Sequence, residues 1–203
     1  MTSPADVEAA VNVLKDGGVI AIPTDTLYAL SANARNAEAV RRVYAIKVRE
    51  QGKPLPLFVS GIAMAESFGV LNDAARALMS RFWPGALTVV IEKQPGFDSD
   101  ALAGGSTVAL RQPDNAVALA VLEGLGHPLT ATSANRSGDA DPVSADEVRR
   151  QLDGAIDLVI DTGPCAVGMS STIVDCSGPE LRILRQGAIP AEEIEAVVAA
   201  SRV

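Results

Sequence analysis

The chain has 203 residues, 48% of them hydrophobic and 21% charged, with a formal net charge of -8. That length and composition suit one domain, 1–203, with a sizeable core, and the short, interrupted apolar runs exclude a membrane-spanning helix. The negative balance argues against nucleic-acid binding through an overall positive field, so any anion site must be a local cluster of Lys and Arg.

In chain order, residues 3–16 carry the first helical pattern. Ser3 can cap it, Pro4 takes the first helical position, and Val7, Ala10, Val11 and Leu14 share one face. Gly17-Gly18 ends it. Residues 19–22 form a buried strand, followed by Pro23-Thr24-Asp25-Thr26-Leu27-Tyr28-Ala29-Leu30. Asn36 can cap a second helix with Val40, Val43, Tyr44 and Lys47 along one stripe. Lys47-Val48-Arg49-Glu50-Gln51-Gly52-Lys53 then puts three cations in seven positions before a strand at 55–59, a composition poorly suited to a core. Asn72 can cap a third helix with Ala75, Leu78, Met79 and Phe82 in register. Trp83-Pro84-Gly85 stops it, and 87–91 is a strand.

Residues 93–105 form the longest polar loop, in which 100–103 can make a helical turn. A strand at 107–111 ends in Arg111, and a helix at 116–125 ends at Gly126, leaving the single histidine, His127, in a surface or capping position. A strand at 129–132 opens into Ser133-Ala134-Asn135-Arg136-Ser137-Gly138. Ser144 and Glu147 make a capping box for a helix through Leu152. The last strands are 158–161, 172–175 and 181–184, the latter two antiparallel around Ser177-Gly178-Pro179. Pro190 starts an amphipathic helix that ends near Ala200. This alternation predicts an α/β fold, a mixed sheet with helices on both faces.

Polar residues recur where short strands end. Thr24 and Thr26 follow the first strand, Arg111 ends the 107–111 strand, Ser133 and Asn135 follow the strand at 129, and Arg185 follows the strand at 181. In open α/β sheets ligands bind beyond the carboxyl ends of parallel strands. If these ends are neighbours, hydroxyls, an amide and several cations surround one cleft suited to a nucleoside triphosphate. Walker, zinc and nucleophile-elbow patterns are missing, and Cys165 and Cys176 match no metal spacing and read as reduced thiols. The inventory favours positioning and charge stabilisation over acid–base or covalent chemistry. Each signal also has a plain alternative. Lys47 and Arg49 can simply favour a helix C-terminus, Thr24–Thr26 and Ser133–Asn135 can be turns that bond their own backbone, and Arg111 and Arg185 can sit in surface ion pairs.

Taken together the motifs resemble the YrdC/TsaC family. They are Pro-Thr-Asp-Thr-Leu-Tyr-Ala-Leu at 23–30, Lys-Val-Arg with Lys-Pro-Leu at 47–55, Trp-Pro-Gly at 83–85 and Thr-Val-Ala-Leu-Arg at 107–111. Thr-Ser-Ala-Asn-Arg-Ser-Gly at 132–138, Ser-Ser-Thr-Ile-Val-Asp at 170–175 and Leu-Arg-Gln-Gly at 184–187 complete the set. The resemblance implies a twisted mixed sheet with a concave cationic cleft. It also implies a nucleotidyltransferase activity that joins L-threonine, bicarbonate or CO2, and ATP into threonylcarbamoyl-AMP. That product would feed the tRNA threonylcarbamoyl-transfer machinery.

Carried over by motif, the resemblance assigns Lys47, Arg49, Lys53, Thr107, Ser133, Asn135, Asp141 and Arg185 to ATP. Lys47, Arg49, Ser133 and Asn135 are the catalytic set. Thr26, Phe58, Arg111, Ala131 and Ser171 fall to L-threonine. Mg2+ accompanies the ATP, with no side chain assigned to a metal. Ala29 and Ser31 stand where the family has glycine, and Glu50 where it has proline. The chain reads as the short, single-domain form. The signal-free start at Met1–Asp6 predicts a cytoplasmic protein. Two other functions compete. An RNA-binding module could use the same cleft, against the net charge and the few aromatic residues. A riboflavin-pathway synthase of similar fold would want acidic metal ligands and a nearby histidine.

Overall fold

The computed structural model describes residues 3–201. Its first helix, α1 (Pro4–Lys15), is capped as its sequence dictates: the Ser3 hydroxyl accepts from the Asp6 amide and the Asp6 carboxylate accepts from the Ser3 amide. Then come β1 (Ile20–Ile22), β2 (Ala29–Ser31), α2 (Ala37–Lys47), β3 (Leu57–Phe58), α3 (Ile62–Glu66), β4 (Gly69–Val70), α4 (Asp73–Phe82) and β5 (Leu87–Lys93). The second half comprises β6 (Thr107–Arg111), α5 (Ala116–Leu125), β7 (Leu129–Thr130), β8 (Thr132–Ser133), α6 (Ala145–Leu152), β9 (Leu158–Val159), β10 (Thr172–Asp175), β11 (Arg182–Arg185) and α7 (Ala191–Ala200). A 3-10 turn at Asp100–Leu102 sits in the predicted polar loop.

The expected single sheet is two. A four-stranded sheet runs β8-β2-β1-β9, and a larger mixed sheet runs β11-β10-β5-β6-β3-β7, with β4 paired to β5. The strand predicted at 129–132 divides between them. Leu129 and Thr130 pair with Phe58 and Leu57 in the large sheet, while Thr132 and Ser133 pair with Leu30 and Ala29 in the small one. Ala131 spans the change, its amide donating to the Pro56 carbonyl at 2.8 Å. Strand β2 falls in and just after the Pro23–Leu30 stretch, where the sequence pattern assigned no element. The turn at residues 23–26 reverses the chain, so 29–31 pair antiparallel with β1. Neither Ala29 nor Ser31 has positive φ, so extended β-strand tolerates the side chains that replace glycine here.

Helices cover both faces of the small sheet and one face of the large one. Ile20, Ile22 and Phe58 pack with α1 and α5, while Ala21, Leu57 and Val59 pack with the main core under α2, α4, α6 and α7. This follows from the two-residue period of a strand. The same period organises the cleft. In β5, Leu87, Val89 and Ile91 enter the main core while Thr88 and Val90 face the other way; in β6, Val108 and Leu110 enter it while Ala109 and Arg111 do not.

Candidate functional site: a cleft on the open face of the large sheet

That opposite face is the floor of a cavity of about 460 Å³. Phe58, Thr88, Val90, Ala109, Arg111 and Ile173 form the floor; Ala29, Thr132 and Ser133 from the small sheet form a wall. The sequence pattern put ligands beyond parallel strand ends, but β5 and β6 are antiparallel and it is the face of the sheet that is left open.

One end of the cleft is built around Lys47. The αL conformation of Val48 (φ 51°, ψ 43°) ends α2 and turns Arg49 toward the cavity that both Lys47 and Arg49 line. Lys47 was expected to face water or an anion, yet it is buried. Its ammonium donates to the Ser133 carbonyl (2.6 Å), the Asn135 carbonyl (2.9 Å) and Asn135 Oδ1 (2.9 Å). All three of its N–H donors are thereby used on protein. Ser133 Oγ donates to Asn135 Oδ1 at 2.7 Å, and Asn135 Nδ2 donates to the Asp139 carbonyl at 2.8 Å and to Asp141 Oδ1 at 3.2 Å. The Lys47 carbonyl in turn accepts from the Ser137 amide at 2.9 Å. The lysine is thus the post on which the 133–138 loop is wound. Burial pulls its pKa down to about 8, with Arg49 acting the same way and Asp141 opposing. Arg49 is half-exposed and held only by the Lys53 and Pro54 carbonyls (3.4 and 3.1 Å), so it is the freer cation.

The other end is built around Arg111, which is also buried. Its Nε donates to the Gly85 carbonyl (2.9 Å), Nη1 to Thr26 Oγ1 (2.8 Å) and Nη2 to Asp25 Oδ1 (2.6 Å), and its guanidinium carbon lies 5.7 Å from the centre of the Phe58 ring. The Trp83-Pro84-Gly85 motif thus supplies an acceptor for Arg111. Burial lowers the Arg111 pKa and Asp25 opposes it. Thr24 Oγ1 accepts the amides of Thr26 and Leu27 and donates to the Leu27 carbonyl. The Thr26 hydroxyl lies 3.0 Å from Thr24 Oγ1 and accepts from Arg111 Nη1.

Ser171 Oγ lies 2.8 Å from Thr88 Oγ1, and the Ser171 carbonyl accepts from Arg185 Nε and Nη2 (3.1 and 2.8 Å). Gly187 packs on this backbone so closely that a Cβ there would sit 2.4 Å from the Ser170 carbonyl oxygen, which explains the glycine after Leu184-Arg185. Ser170 Oγ donates to Asp141 Oδ2 at 3.3 Å and links the two ends.

The structure therefore brings Thr26, Lys47, Arg49, Phe58, Arg111, Ala131, Ser133, Asn135, Asp141, Ser171 and Arg185 to one cavity. Two assigned residues do not line it. Lys53 is exposed and its ammonium pairs with Glu50 at 3.1 Å. Thr107 shares the strand face of Ala109 and Arg111 but sits at the far end of β6, opposite Glu92. Sequence reasoning missed Thr88, whose signal was a lone hydroxyl in the apolar run 87–91. It also passed over Asp25, read only as a turn residue, and Asp139, which lines the cleft. Cys165 and Cys176 are free thiols, and burial pushes Cys176 up to about 11. Among the described residues no helix is long and apolar enough to cross a membrane, and no cluster of three or more His, Cys, Asp or Glu could hold a metal.

Fold and site define a mixed α/β protein whose cleft sets Lys47, Arg49, Arg111 and Arg185 beside Asp139 and Asp141. Residues 12–187 match the family model Sua5/YciO/YrdC, described as telomere recombination, and the chain belongs to this family. It is 39% identical to the threonylcarbamoyl-AMP synthase of Bacillus subtilis over 97% of its length, covering 58% of that protein. The crystal structure of Pyrococcus abyssi Sua5 complexed with L-threonine superposes with a TM-score of 0.93 at 34% identity, over 97% of this chain and 58% of that one. E. coli YciO superposes at 0.86 with 25% identity over 96% and 95%. The chain thus spans little more than half the length of the first two relatives.

Proposed function

We propose that the chain is an L-threonylcarbamoyladenylate synthase, a nucleotidyltransferase. It would convert L-threonine, bicarbonate and ATP into threonylcarbamoyl-AMP, pyrophosphate and water. The observation that carries this reading is the meeting of two cationic ends in one cleft. The end with Arg49, Arg185 and the charge of Lys47, set by the Ser133–Asn135 loop, suits the triphosphate. A buried guanidinium at Arg111 suits an amino-acid carboxylate. The fold's likeness to a relative complexed with L-threonine supports it.

In this reading Arg49 and Arg185 meet the phosphates, and Lys47 acts by holding the 133–138 loop and by its charge. Ser133 and Asn135 orient that loop. Arg111 grips the carboxylate with the one N–H left on each Nη, and Phe58 and Ala131 shape the amino-acid end. Threonine is first carboxylated on nitrogen; a carbamate oxygen then attacks the α-phosphate and pyrophosphate leaves. Fixing both partners in line supplies the rate, in keeping with a site rich in donors and poor in acid–base groups. Mg2+ would arrive with the triphosphate and neutralise its charge. Asp139 and Asp141, the carboxylates that line the cleft, would hold such an ion together with substrate phosphates.

The product would pass to the tRNA threonylcarbamoyl-transfer machinery in the cytoplasm. An RNA-binding role has less support, because Arg41, Arg42, Arg76, Arg149 and Arg182 are each paired with a carboxylate. The test is pyrophosphate release by the purified chain with ATP, omitting L-threonine or bicarbonate in turn. Release that needs both supports the synthase; release indifferent to threonine refutes it.

A further inference from the structure

We propose that Asp25 is a positioning residue for the amino-acid end of the cleft, acting through Arg111 and resting on the assignment of Arg111 to the substrate carboxylate. Asp25 does not line the cavity. It lies behind the guanidinium, in an ion pair whose side chains are only 6% (Arg111) and 11% (Asp25) exposed. A buried arginine with five donors can turn several ways. Here three are fixed by Asp25, Thr26 and Gly85, which leaves one N–H on each Nη.

Asp25 also ties this guanidinium to two other segments. Its Oδ1 accepts the Asp114 amide at 3.1 Å, just before α5. Its carbonyl accepts the Val167 amide at 2.9 Å, and the neighbouring Thr26 carbonyl accepts the Gly168 amide at 3.1 Å. These last two bonds fasten the stretch that leads directly to Ser170 and Ser171. The Asp25 side chain therefore sets the Arg111 fork, while the backbone of Asp25 and Thr26 holds the segment bearing Ser171 beside it.

Electrostatics runs the same way. Arg185 is near enough to Arg111 to disfavour its charge. Without an anion behind it, Arg111 would be a buried cation facing another cation whenever the substrate is absent. Asp25 balances the guanidinium's charge and holds its aim in the empty site, so the site does not have to reorganise when a carboxylate arrives.

The experiment compares wild type, Asp25→Asn and Asp25→Glu in pyrophosphate release, with the KM for L-threonine and for ATP measured separately. Threonine binding is also titrated calorimetrically. Asn keeps the size and an acceptor for the Asp114 amide but removes the charge. The Asn variant should raise the threonine KM and Kd by roughly tenfold or more, the scale of one lost charge-assisted bond, while the ATP KM stays put. Glu restores the charge and should recover part of the loss. An unchanged threonine KM in a folded, threonine-dependent Asn variant would overturn the inference and leave the synthase reading standing. So would parallel rises in both KM values, or loss of the fold in both variants, since either marks a structural role. Wild-type turnover indifferent to threonine would remove the proposed function and this inference with it.

Discussion

Lys47 and Arg49 look equivalent in the sequence, and the structure makes them differ in a measurable way. Consider Lys47→Met, which keeps the stem and deletes the ammonium. Three charge-assisted bonds at ~1.5–3 kcal/mol each are lost, about 5–9 kcal/mol together. Against this, the variant no longer buries a charge. The Lys47 shift from 10.5 to about 8 values that relief at roughly 3 kcal/mol, at 1.36 kcal/mol per unit. The net destabilisation is of the order of 4 kcal/mol, or about 8–16 °C in Tm for a domain of this size. Arg49→Ala deletes two contacts from a half-exposed side chain and should cost under ~1 kcal/mol. Both variants should lose most ATP binding and turnover. Thermal unfolding monitored by circular dichroism, with calorimetric ATP titration on the same samples, separates them. A Lys47→Met protein that melts like wild type would refute the loop-post role, and a folded Arg49→Ala protein with normal turnover would refute the phosphate role.

The remaining predictions concern the same cleft. Lys47 has a folded-state pKa below its unfolded value, so its own contribution to stability rises from pH 8 to 10.5 as the unfolded chain keeps the proton longer. ATP affinity should nevertheless fall as pH climbs through about 8; titrations of the wild type between pH ~6.5 and ~9.5 decide, and a flat profile would refute it. Asn135→Ala, which strips a buried side chain from Lys47, Ser133 and Asp139, should cost ~1–3 kcal/mol of stability, whereas Ser133→Ala should cost under ~1 kcal/mol, with ATP binding weakened in both. Amino acids should be used in the order threonine, serine, valine, serine losing about 1–3 kcal/mol for its missing methyl and valine more for its missing hydroxyl. Arg111→Lys should be impaired with all of them, because a lysine cannot reproduce the fork; valine matching threonine in pyrophosphate release would overturn this pocket. Val48→Gly should raise Tm by about 2–4 °C, since a β-branched residue in the αL region costs roughly 1–2 kcal/mol, and a lowered Tm would show that the turn needs the side chain.

Much of this protein is written locally. The caps at Ser3, Asn36, Asn72 and Ser144, the strand at Thr107–Arg111 and the helix at Ala116–Leu125 stand where their residues predict, because a cap or an alternating run needs only its neighbours in sequence. The motifs were legible for the same reason: hydroxyls, glycines and cations at fixed spacing survive in one dimension. Tertiary structure decided what they do. The two-residue strand β8 and the short β2 carry too little pattern to announce themselves, and pairing across a hundred residues made them a wall of the cleft. Whether a cation is buried depends on the acceptors that long-range packing brings to it. Lys47 therefore became a post for carbonyls 86 and 88 residues away, while Lys53, six positions along, stayed in solvent with Glu50. Asp25 looked like a turn residue until the fold set it 2.6 Å from Arg111. Sequence alone fixes which charges a chain carries; only the folded chain fixes which of them face a ligand and which hold another residue in place.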